Sequence, residues 1–269
     1  FSARPALRCY YDATEMKENT LTQNSIDIME KLDGPLTITT YANMFDENYF
    51  RALPRYYNED FNRFEKYIRF KPEIKMKYVY YYDKTNNPTL EQRYPGLTDE
   101  QRLKKICDAL DWDVKRVLTP EQIRAKEDLS GEYNKYVRVI ERGNGQKSYL
   151  RLYEDNYRHP TETEISAALK RMVIKSPVVA FLTGHGERSI DGIGERDYYA
   201  FSQYKDFRSS LVNQGFESIS LSLDSVNKVP ENIDILVISD VRTALSPKEQ
   251  EIIENYIAEG RNLLIAGEP

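Results

Sequence analysis

Histidine, cysteine and long apolar runs are scarce in this sequence, and each scarcity excludes a class of protein. Among 269 residues there are two histidines, two cysteines and one tryptophan. Two cysteines cannot build the disulfide framework of a small secreted domain, and their spacing fits no metal motif. The longest apolar runs have about five residues, such as Val178 to Leu182, whereas a membrane-spanning helix needs about 20. No segment has the form of a signal peptide.

The net charge is small and negative. Lys and Arg number 38 against 43 Asp and Glu, which leaves −5 at pH 7. Nucleic-acid-binding proteins usually carry a basic surface, and docking on anionic lipid also needs basic residues, so neither class is expected. With 40% hydrophobic and 30% charged residues, the chain should fold rather than remain disordered. Its length predicts two domains.

The cysteines and most of the tyrosines are expected to be packing residues. Cys9 lies in a predicted strand from Leu7 to Tyr11, and Cys107 lies on the apolar stripe of a predicted helix. We expect two buried thiols, with a single disulfide as the alternative. The 21 tyrosines should be mostly half-buried strand and helix positions, and the alternative is an aromatic interaction surface.

The first half of the chain alternates helix and strand patterns. A capping-box pattern at Thr20 to Gln23 opens a helix, and a strand pattern follows at Leu36 to Tyr41. A period-two pattern at Ile74 to Tyr82 predicts another strand. The helix between these strands has an apolar stripe of Tyr57, Phe61, Phe64 and Ile68. This order predicts a parallel sheet with covering helices.

The segment from Asp83 to Asn156 contains a predicted polar loop, two capped helices and a hairpin. The loop runs from Asp83 to Gly96. Helix starts are predicted at Thr98 and Thr119, each followed three residues later by glutamine. Strand patterns on either side of Gly143-Asn144-Gly145 predict a β-hairpin.

Lys175-Ser176-Pro177 is the predicted domain junction. It separates an N-terminal α/β domain, residues 1–175 with an insertion around 83–156, from a C-terminal α/β domain, residues 176–269. The fold class is therefore α/β, with two largely parallel sheets. The chain begins at Phe1 and stops directly after a strand pattern, so we expect a piece of a longer protein with a truncated second domain.

Helix and strand patterns also alternate in the second domain. The strand patterns are Val178 to Leu182, Ser218 to Leu223, Ile233 to Ser239 and Leu263 to Ala266. One helix pattern starts near Asp197 and has its apolar residues at Phe201, Tyr204, Phe207 and Leu211. Another starts at Ser246 and turns inward Ile252, Ile253, Tyr256 and Ile257.

The loop Thr183-Gly184-His185-Gly186-Glu187-Arg188, directly after a strand, is the strongest candidate site. Open α/β sheets bind ligands at the carboxyl ends of their strands, and His185 and Glu187 are residue types that serve as acid, base or metal ligand. The alternative is a structural turn with a polar histidine. Asp240-Val241-Arg242 should end a strand at the same sheet edge and either line a cleft or form a local ion pair. The predicted ligand-binding residues are Gly184, His185, Gly186, Glu187, Asp240 and Arg242.

No catalytic or metal constellation accompanies this loop in the sequence. The loop matches neither the dinucleotide nor the P-loop motif, and His159 is expected in a solvated turn beside Pro160. A glutamine-amidotransferase-like hydrolase needs a Cys nucleophile, but the second domain has no cysteine and the chain has no G-x-S-x-G. Ser189 near His185 has no triad spacing. We therefore expect no catalytic residues, no metal, no cofactor and no enzymatic activity.

Several segments together resemble the GldG-like, ABC-transporter-auxiliary family. The segment from Leu21 to Tyr41 resembles the opening helix, turn and strand of that family, and Val178 to Glu187 resembles its strand and Gly-His-Gly-Glu loop. Val229-Pro230, Leu245-Ser246 and Glu259-Gly260 then follow in the expected order.

The resemblance implies a membrane-anchored component of an ABC-2-type export system, such as the gliding-motility-associated transporter of Bacteroidetes-like bacteria. It places this segment on the periplasmic side of the cell membrane, with permease and ATPase subunits as partners. It also implies that the second domain has the class I glutamine-amidotransferase-like (flavodoxin-like) fold without its nucleophile.

The leading functional hypothesis is non-catalytic binding of a small-molecule or polymer substrate, or of a partner. Two alternatives remain open. One is a hydrolase or carbohydrate-binding protein that uses the loop from Gly184 to Glu187. The other is a structural scaffold whose tyrosine-rich first domain packs against other subunits.

Overall fold

The computed structural model describes residues 11–15, 17, 19–224 and 226–267. The strand predicted at Leu7 to Tyr11 lies outside the described residues except for Tyr11, and so does Cys9. The chain divides into two compact units: residues 1–152 with 160–173, and residues 153–159 with 174–269. Both units are mixed α/β and parallel strand pairs prevail over the two sheets together, so the α/β class is confirmed.

A five-stranded sheet organises the first unit, in the order β3-β2-β1-β4-β5. β1 pairs in parallel with β2, and β2 pairs in parallel with β3, whereas β4 is antiparallel to both β1 and β5. The predicted hairpin is thus part of the main sheet, because its first strand pairs with the central strand β1. The strands are β1 (Leu36–Asn43), β2 (Lys75–Tyr81), β3 (Val117–Leu118), β4 (Val137–Arg142) and β5 (Lys147–Arg151).

Six α-helices and several short 3₁₀ helices accompany this sheet in the described part of the first unit. The α-helices are α1 (Gln23–Glu30), α2 (Tyr57–Phe70), α3 (Pro88–Arg93), α4 (Asp99–Leu110), α5 (Pro120–Lys126) and α6 (Glu162–Lys170). The 3₁₀ helices are Tyr49–Ala52, Pro54–Tyr56, Val114–Arg116 and Ser130–Glu132. α3 corrects the polar loop predicted at Asp83 to Gly96. It forms because Pro88 is preset for the first helical position and Leu90 packs on the cluster around Tyr82.

The start of α1 differs from the predicted capping box. Its N-cap is Thr22, and no side chain caps it. The Thr20 hydroxyl donates to Asp12 Oδ2 (3.0 Å) instead. The N–H of Thr22 donates to Glu162 Oε1 (2.7 Å), so a residue distant in the chain satisfies this helix end.

The inward stripe of α2 also differs from the prediction. Phe64 is buried as predicted, but Phe61 is exposed and Asp60 is buried. Asp60 faces the core because it pairs with Arg138 of β4, whose side chain is fully buried. Helical periodicity predicts that the Asp60 carboxylate faces solvent. Its buried partner Arg138 places it in the core instead.

Four parallel strands form the sheet of the second unit, in the order β7-β6-β8-β9. The described helices of this unit are α7 (Tyr199–Ser202) and α8 (Pro247–Ala258). α8 packs Ile252, Ile253 and Tyr256 on the sheet, whereas Ile257, predicted to face inward, is exposed. The strands are β6 (Val178–Leu182), β7 (Glu217–Leu221), β8 (Ile235–Ser239) and β9 (Asn262–Ala266).

The helix predicted through Phe201, Tyr204, Phe207 and Leu211 is wrong beyond its first turn. α7 has only four residues. The Asn213 side chain donates to the carbonyl oxygens of Lys205 (2.8 Å) and Phe207 (2.9 Å), and Leu211 N–H donates to the Phe201 carbonyl (2.9 Å). These bonds satisfy backbone groups that a continuous helix would otherwise pair.

Candidate functional site

The loop from Gly184 to Glu187 follows the carboxyl end of β6, next to the carboxyl end of β8. β6 and β8 are parallel neighbours, so both ends lie at one sheet edge. The His185 carbonyl accepts the N–H groups of Arg242 (2.8 Å) and Thr243 (3.1 Å). The structure therefore brings the two predicted segments together. Binding of a ligand there stays a prediction.

The two glycines of this loop both have a positive φ, but they differ in the space around them. Gly184 has φ of 124° and Gly186 has φ of 79°, a region that disfavours other residues. A Cβ on Gly186 would also lie 2.9 Å from the Cβ of Arg242, so a side chain there would clash. A Cβ on Gly184 would meet nothing within 4 Å, and the residue is exposed. Gly186 thus permits the close approach of the two loops.

The imidazole of His185 lies between two buried carboxylates. Its Nδ1 is 3.4 Å from Glu187 Oε1, and its Nε2 is 3.3 Å from Glu249 Oε2. The ring is 12% exposed. Glu187 Oε2 also accepts the backbone N–H of His185 (2.6 Å). His185 thereby connects the turn after β6 to the first turn of α8.

Glu249 also caps α8, and the cap favours the charged form of its carboxylate. Its Oε2 accepts the hydroxyl (2.6 Å) and the N–H (2.8 Å) of Ser246. These hydrogen bonds lower the pKa of the Glu249 carboxyl, and His185 adds to the effect.

Three arginines converge on Asp240, the residue after β8. Arg196 and Arg242 both donate to its Oδ2, the latter at 2.5 Å, and the Nε of Arg188 lies 3.7 Å from the same oxygen. The side chain of Asp240 is 9% exposed, whereas Arg196 and Arg242 are 54% and 49% exposed and Arg188 is 16% exposed. Asp240 has φ of 56°, a conformation that Asp and Asn tolerate better than most residues.

Sequence reasoning missed Glu249, Arg196 and the role of Arg188. The Ser246 to Glu249 spacing identifies a capping box, but it carries no signal of the contact with His185. Arg196 lies in the long loop after β6, and its distance in the chain from Asp240 hides their contact. The only available signal is topological: residues that follow adjacent parallel strands meet at one edge.

His159, predicted in a solvated turn, is buried in the second unit. Its carbonyl accepts Arg208 Nη2 (3.0 Å), and Arg208 also lies over the ring of Tyr153 (4.4 Å). Within the described ranges, no group of three His, Cys, Asp or Glu side chains could hold a metal ion. Every helix of those ranges is too short or too polar to cross a bilayer.

Comparison with known proteins gives one finding. No curated protein and no solved structure matches the chain. Residues 176–269 match the model of a family described as an ABC-type uncharacterized transport system. The matched region includes both loops of the candidate site and is less than half of the chain. The match supports the ABC-transporter auxiliary family for this region and, with it, a role in an ABC-type transport system. Residues 176–269 are thus similar to an auxiliary component of such a system.

Proposed function

We propose that this chain is a non-catalytic, extracytoplasmic domain of an ABC-type export system that binds a substrate or a protein partner. The family match of residues 176–269 is the observation that carries the transport assignment. The GldG-like resemblance adds the finer parts of the proposal: gliding-motility-associated export, the periplasmic side of the cell membrane, and permease and ATPase subunits as partners.

The surroundings of His185 support binding without catalysis. A general acid or base must reach the proton that it transfers, yet both ring nitrogens of His185 face Glu187 and Glu249. The hydroxyl of Ser189 accepts the N–H of Asp191 (3.0 Å) in its own turn. The second unit also contains no cysteine. This arrangement favours a loop that is held in place over a loop that performs hydrolysis.

The strand order of the second unit supports the proposed amidotransferase-like (flavodoxin-like) fold. In chain order the four strands lie 2-1-3-4 across the sheet, which is the beginning of the flavodoxin-like order 2-1-3-4-5. A glutamine amidotransferase would use a cysteine nucleophile on this scaffold. Without one, the proposed role of the scaffold is to present the loops at its carboxyl edge.

Co-purification tests the transport assignment. We expect the full-length protein, affinity-tagged and extracted from its native membrane in mild detergent, to retain permease and ATPase subunits. An unrelated membrane protein carrying the same tag controls for non-specific recovery. Recovery of the tagged protein without either subunit contradicts the proposal.

Cysteine labelling tests the extracytoplasmic side. Cys107 is buried, and burial raises the pKa of its thiol, so it should not react in the folded protein. We expect Lys228→Cys, at an exposed position, to react with a membrane-impermeant maleimide in cells with an intact inner membrane. Lys228→Cys is made in a Cys9→Ser background, and the Cys9→Ser variant alone controls for labelling of other thiols. Labelling only after lysis of the inner membrane places the domain on the other side.

Activity measurements test the non-catalytic part. The alternative, a hydrolase that uses the loop from Gly184 to Glu187, requires turnover of an ester, amide or glycoside substrate that His185→Ala abolishes. We expect no turnover by the full-length protein on such a panel. Turnover that disappears in His185→Ala, with an unchanged melting temperature, contradicts the proposal.

A further inference from the structure

Arginines alternate with aromatic rings on a surface that follows the carboxyl ends of β1 and β2. The surface consists of the segment from Tyr49 to Tyr56, after β1, and of Arg93 and Tyr94, at the end of α3 after β2. β1 and β2 are parallel neighbours, so both segments lie at one sheet edge, where open α/β sheets bind ligands. Asn87 Nδ2 also donates to the Phe45 carbonyl (2.7 Å) and joins the two loops directly. We call this set of residues the arginine–aromatic surface.

Ring contacts make the arginine–aromatic surface continuous. The ring centroid of Phe50 lies 6.5 Å from that of Tyr49 and 6.3 Å from that of Tyr56, and both contacts are edge-to-face. Arg93 and Arg55 lie close enough to Tyr49 for their charges to act on its hydroxyl. Burial raises the pKa of Tyr49, and both arginines oppose that rise. The rings and the arginines therefore form one patch.

The guanidinium groups of this surface are oriented but not neutralised. Arg51 and Arg55 each lie over the aromatic ring next to them in the chain, at 4.9 and 5.1 Å. Arg51 Nε donates to Asn48 Oδ1 (3.1 Å), which is a neutral acceptor. Among the described residues, no carboxylate lies within 4.0 Å of Arg51, Arg55 or Arg93. Stacking on a ring leaves the N–H donors at the edge of a guanidinium available and reduces the freedom that binding would remove.

A cavity of about 220 Å³ lies within the same surface, and Arg93, Tyr49 and Tyr94 line it. Met44 and Ile106 contribute buried apolar side chains to its lining. Pockets for drug-sized ligands have about 300–1,000 Å³, so this cavity suits one apolar side chain rather than a whole ligand of that size. Side chains inserted in pockets of this kind are the usual anchors of protein interfaces.

Two carboxylates also line the cavity, and they differ in what they can do. Asp46 is buried, and its oxygens accept the N–H groups of Asn48 (2.6 Å) and Tyr136 (2.7 Å). It is therefore occupied by the protein itself. Glu47 is exposed, so its charge opposes the approach of an anion to the arginines. Removal of that charge provides a test of the sign of the ligand.

The composition of the surface favours an acidic peptide over a lipid surface. Tyr49, Phe50 and Tyr56 are half-buried, whereas a peripheral membrane anchor presents exposed aromatic or aliphatic side chains to the lipid. Aromatic residues and arginine are the types enriched where proteins bind one another. The planar donors of arginine also match the two oxygens of a carboxylate.

We infer that the arginine–aromatic surface binds an acidic segment of a protein partner. Carboxylates of that segment contact Arg51, Arg55 and Arg93, and one apolar side chain enters the cavity beside them. The inference deepens the partner-binding part of the proposed function, on which it rests for the place of that partner in a transport system. It also gives a role to the first unit, which lies outside the family match.

Fluorescence anisotropy of a labelled peptide tests the surface on the full chain. The probe is a short capped peptide of glutamates around one leucine. One matched peptide has glutamine in place of every glutamate, and another has alanine in place of the leucine. Ionic strength is held constant, because salt screens charges. We expect saturable binding of the acidic peptide, binding of the glutamine peptide that is weaker by about tenfold or more, and intermediate binding of the alanine peptide.

Substitutions locate the binding, and each variant is compared at an unchanged melting temperature. Arg51→Ala, Arg55→Ala and Arg93→Ala should each weaken binding of the acidic peptide about tenfold, the effect of losing one charge-assisted hydrogen bond. Arg93→Lys should weaken it nearly as much, because lysine keeps the charge but not the planar pair of donors. Glu47→Gln should tighten it several-fold. The control is Lys31→Ala, which removes a positive charge from an exposed position before the amino end of β1 and should leave binding unchanged.

Several results would overturn the inference. They are no saturable binding of the acidic peptide by the original chain, equal binding of the glutamine peptide, and arginine variants that bind as tightly as Lys31→Ala. Binding to vesicles of phosphatidylglycerol and phosphatidylcholine that the arginine substitutions abolish, without binding of the peptide, assigns the surface to the membrane instead. Retained co-purification with absent peptide binding refutes this inference alone. Peptide binding by a protein that recovers neither subunit refutes the transport assignment alone.

Discussion

Asp60 and Arg138 form an ion pair that is buried in the first unit. Arg138 is fully buried, and its guanidinium lies over the rings of Phe64 (5.6 Å) and Tyr136 (5.0 Å). The Tyr78 hydroxyl donates to the second oxygen of Asp60 (3.0 Å). A buried charge without its partner is strongly unfavourable, whereas replacement of both partners by apolar groups is often tolerated. The pair should therefore specify how α2 docks on β4.

Single and double substitutions should differ sharply at this pair. Asp60→Leu should lower the free energy of unfolding by about 3–5 kcal/mol, because it leaves Arg138 buried without its carboxylate. Asp60→Leu with Arg138→Met should recover much of that loss. Urea unfolding followed by the fluorescence of Trp112, which lies in the same unit, measures both. Phe61→Ala, at an exposed position on the same helix, is the control and should change stability by less than about 1 kcal/mol. A double variant as unstable as the single one contradicts this role.

The carboxylate of Asp155 predicts a pH-dependent part of the stability of the second unit. The Arg208 guanidinium (Nε at 2.6 Å) and the N–H groups of Arg158 and Tyr157 lower the pKa of Asp155 from 3.8 to about 2. Because the pKa of Asp155 is lower in the folded state, the stabilisation is complete above about pH 4. It is lost as the pH falls through about 2.

Asp155→Asn tests this pH dependence. About a third of the Asp155 side chain is exposed, so solvent screening limits the effect to about 1 kcal/mol. We expect the variant to be less stable than the original chain at pH 6, and the difference to shrink towards pH 2. Urea unfolding followed by far-ultraviolet circular dichroism measures it. Asp224→Asn, the same substitution at an exposed loop position, is the control. A difference that is the same at both pH values rules out the carboxylate as its cause.

At the scale of elements, local contacts were predictable and distant contacts were not. The capping boxes of α4 and α5 formed as predicted, because both partners lie three residues apart. The apolar spacing from Phe201 to Leu211 also predicts a helix, but Asn213 binds the carbonyl groups that the helix needs. In the candidate site, adjacency of β6 and β8 predicts that their loops meet. The convergence of Arg196 on Asp240 depends on a long loop whose path no local pattern encodes.

Removal of the α8 cap should destabilise the second unit. Ser246→Ala should lower the free energy of unfolding by about 1 kcal/mol, because an unpaired N–H is left at the helix start. It should also loosen Glu249, whose carboxylate both Ser246 and His185 contact. Circular dichroism during urea unfolding measures the loss. Thr98→Ala at the cap of α4 is the matched variant, and its effect should show in Trp112 fluorescence. An unchanged stability of Ser246→Ala means that the cap is not needed.

At the scale of the whole molecule, each unit has its own sheet and its own buried clusters. A unit with its own hydrophobic core can unfold as one cooperative transition. The chain has one tryptophan, Trp112, which lies in the first unit and makes a T-shaped contact with Tyr80, with ring centroids 4.6 Å apart. Its fluorescence should therefore report the first unit alone, whereas circular dichroism reports both.

A pair of core truncations should separate the two transitions. Phe64→Ala in the first unit and Phe181→Ala in the second each remove a fully buried ring, which should cost about 3–5 kcal/mol. Phe64→Ala should shift the unfolding curve of Trp112 to lower urea. Phe181→Ala should leave the unfolding curve of Trp112 unchanged. It should shift to lower urea only the part of the circular dichroism change that comes from the second unit. If Phe181→Ala moves the Trp112 curve as far as Phe64→Ala does, the two units unfold together, and stability measured at either core belongs to the whole chain.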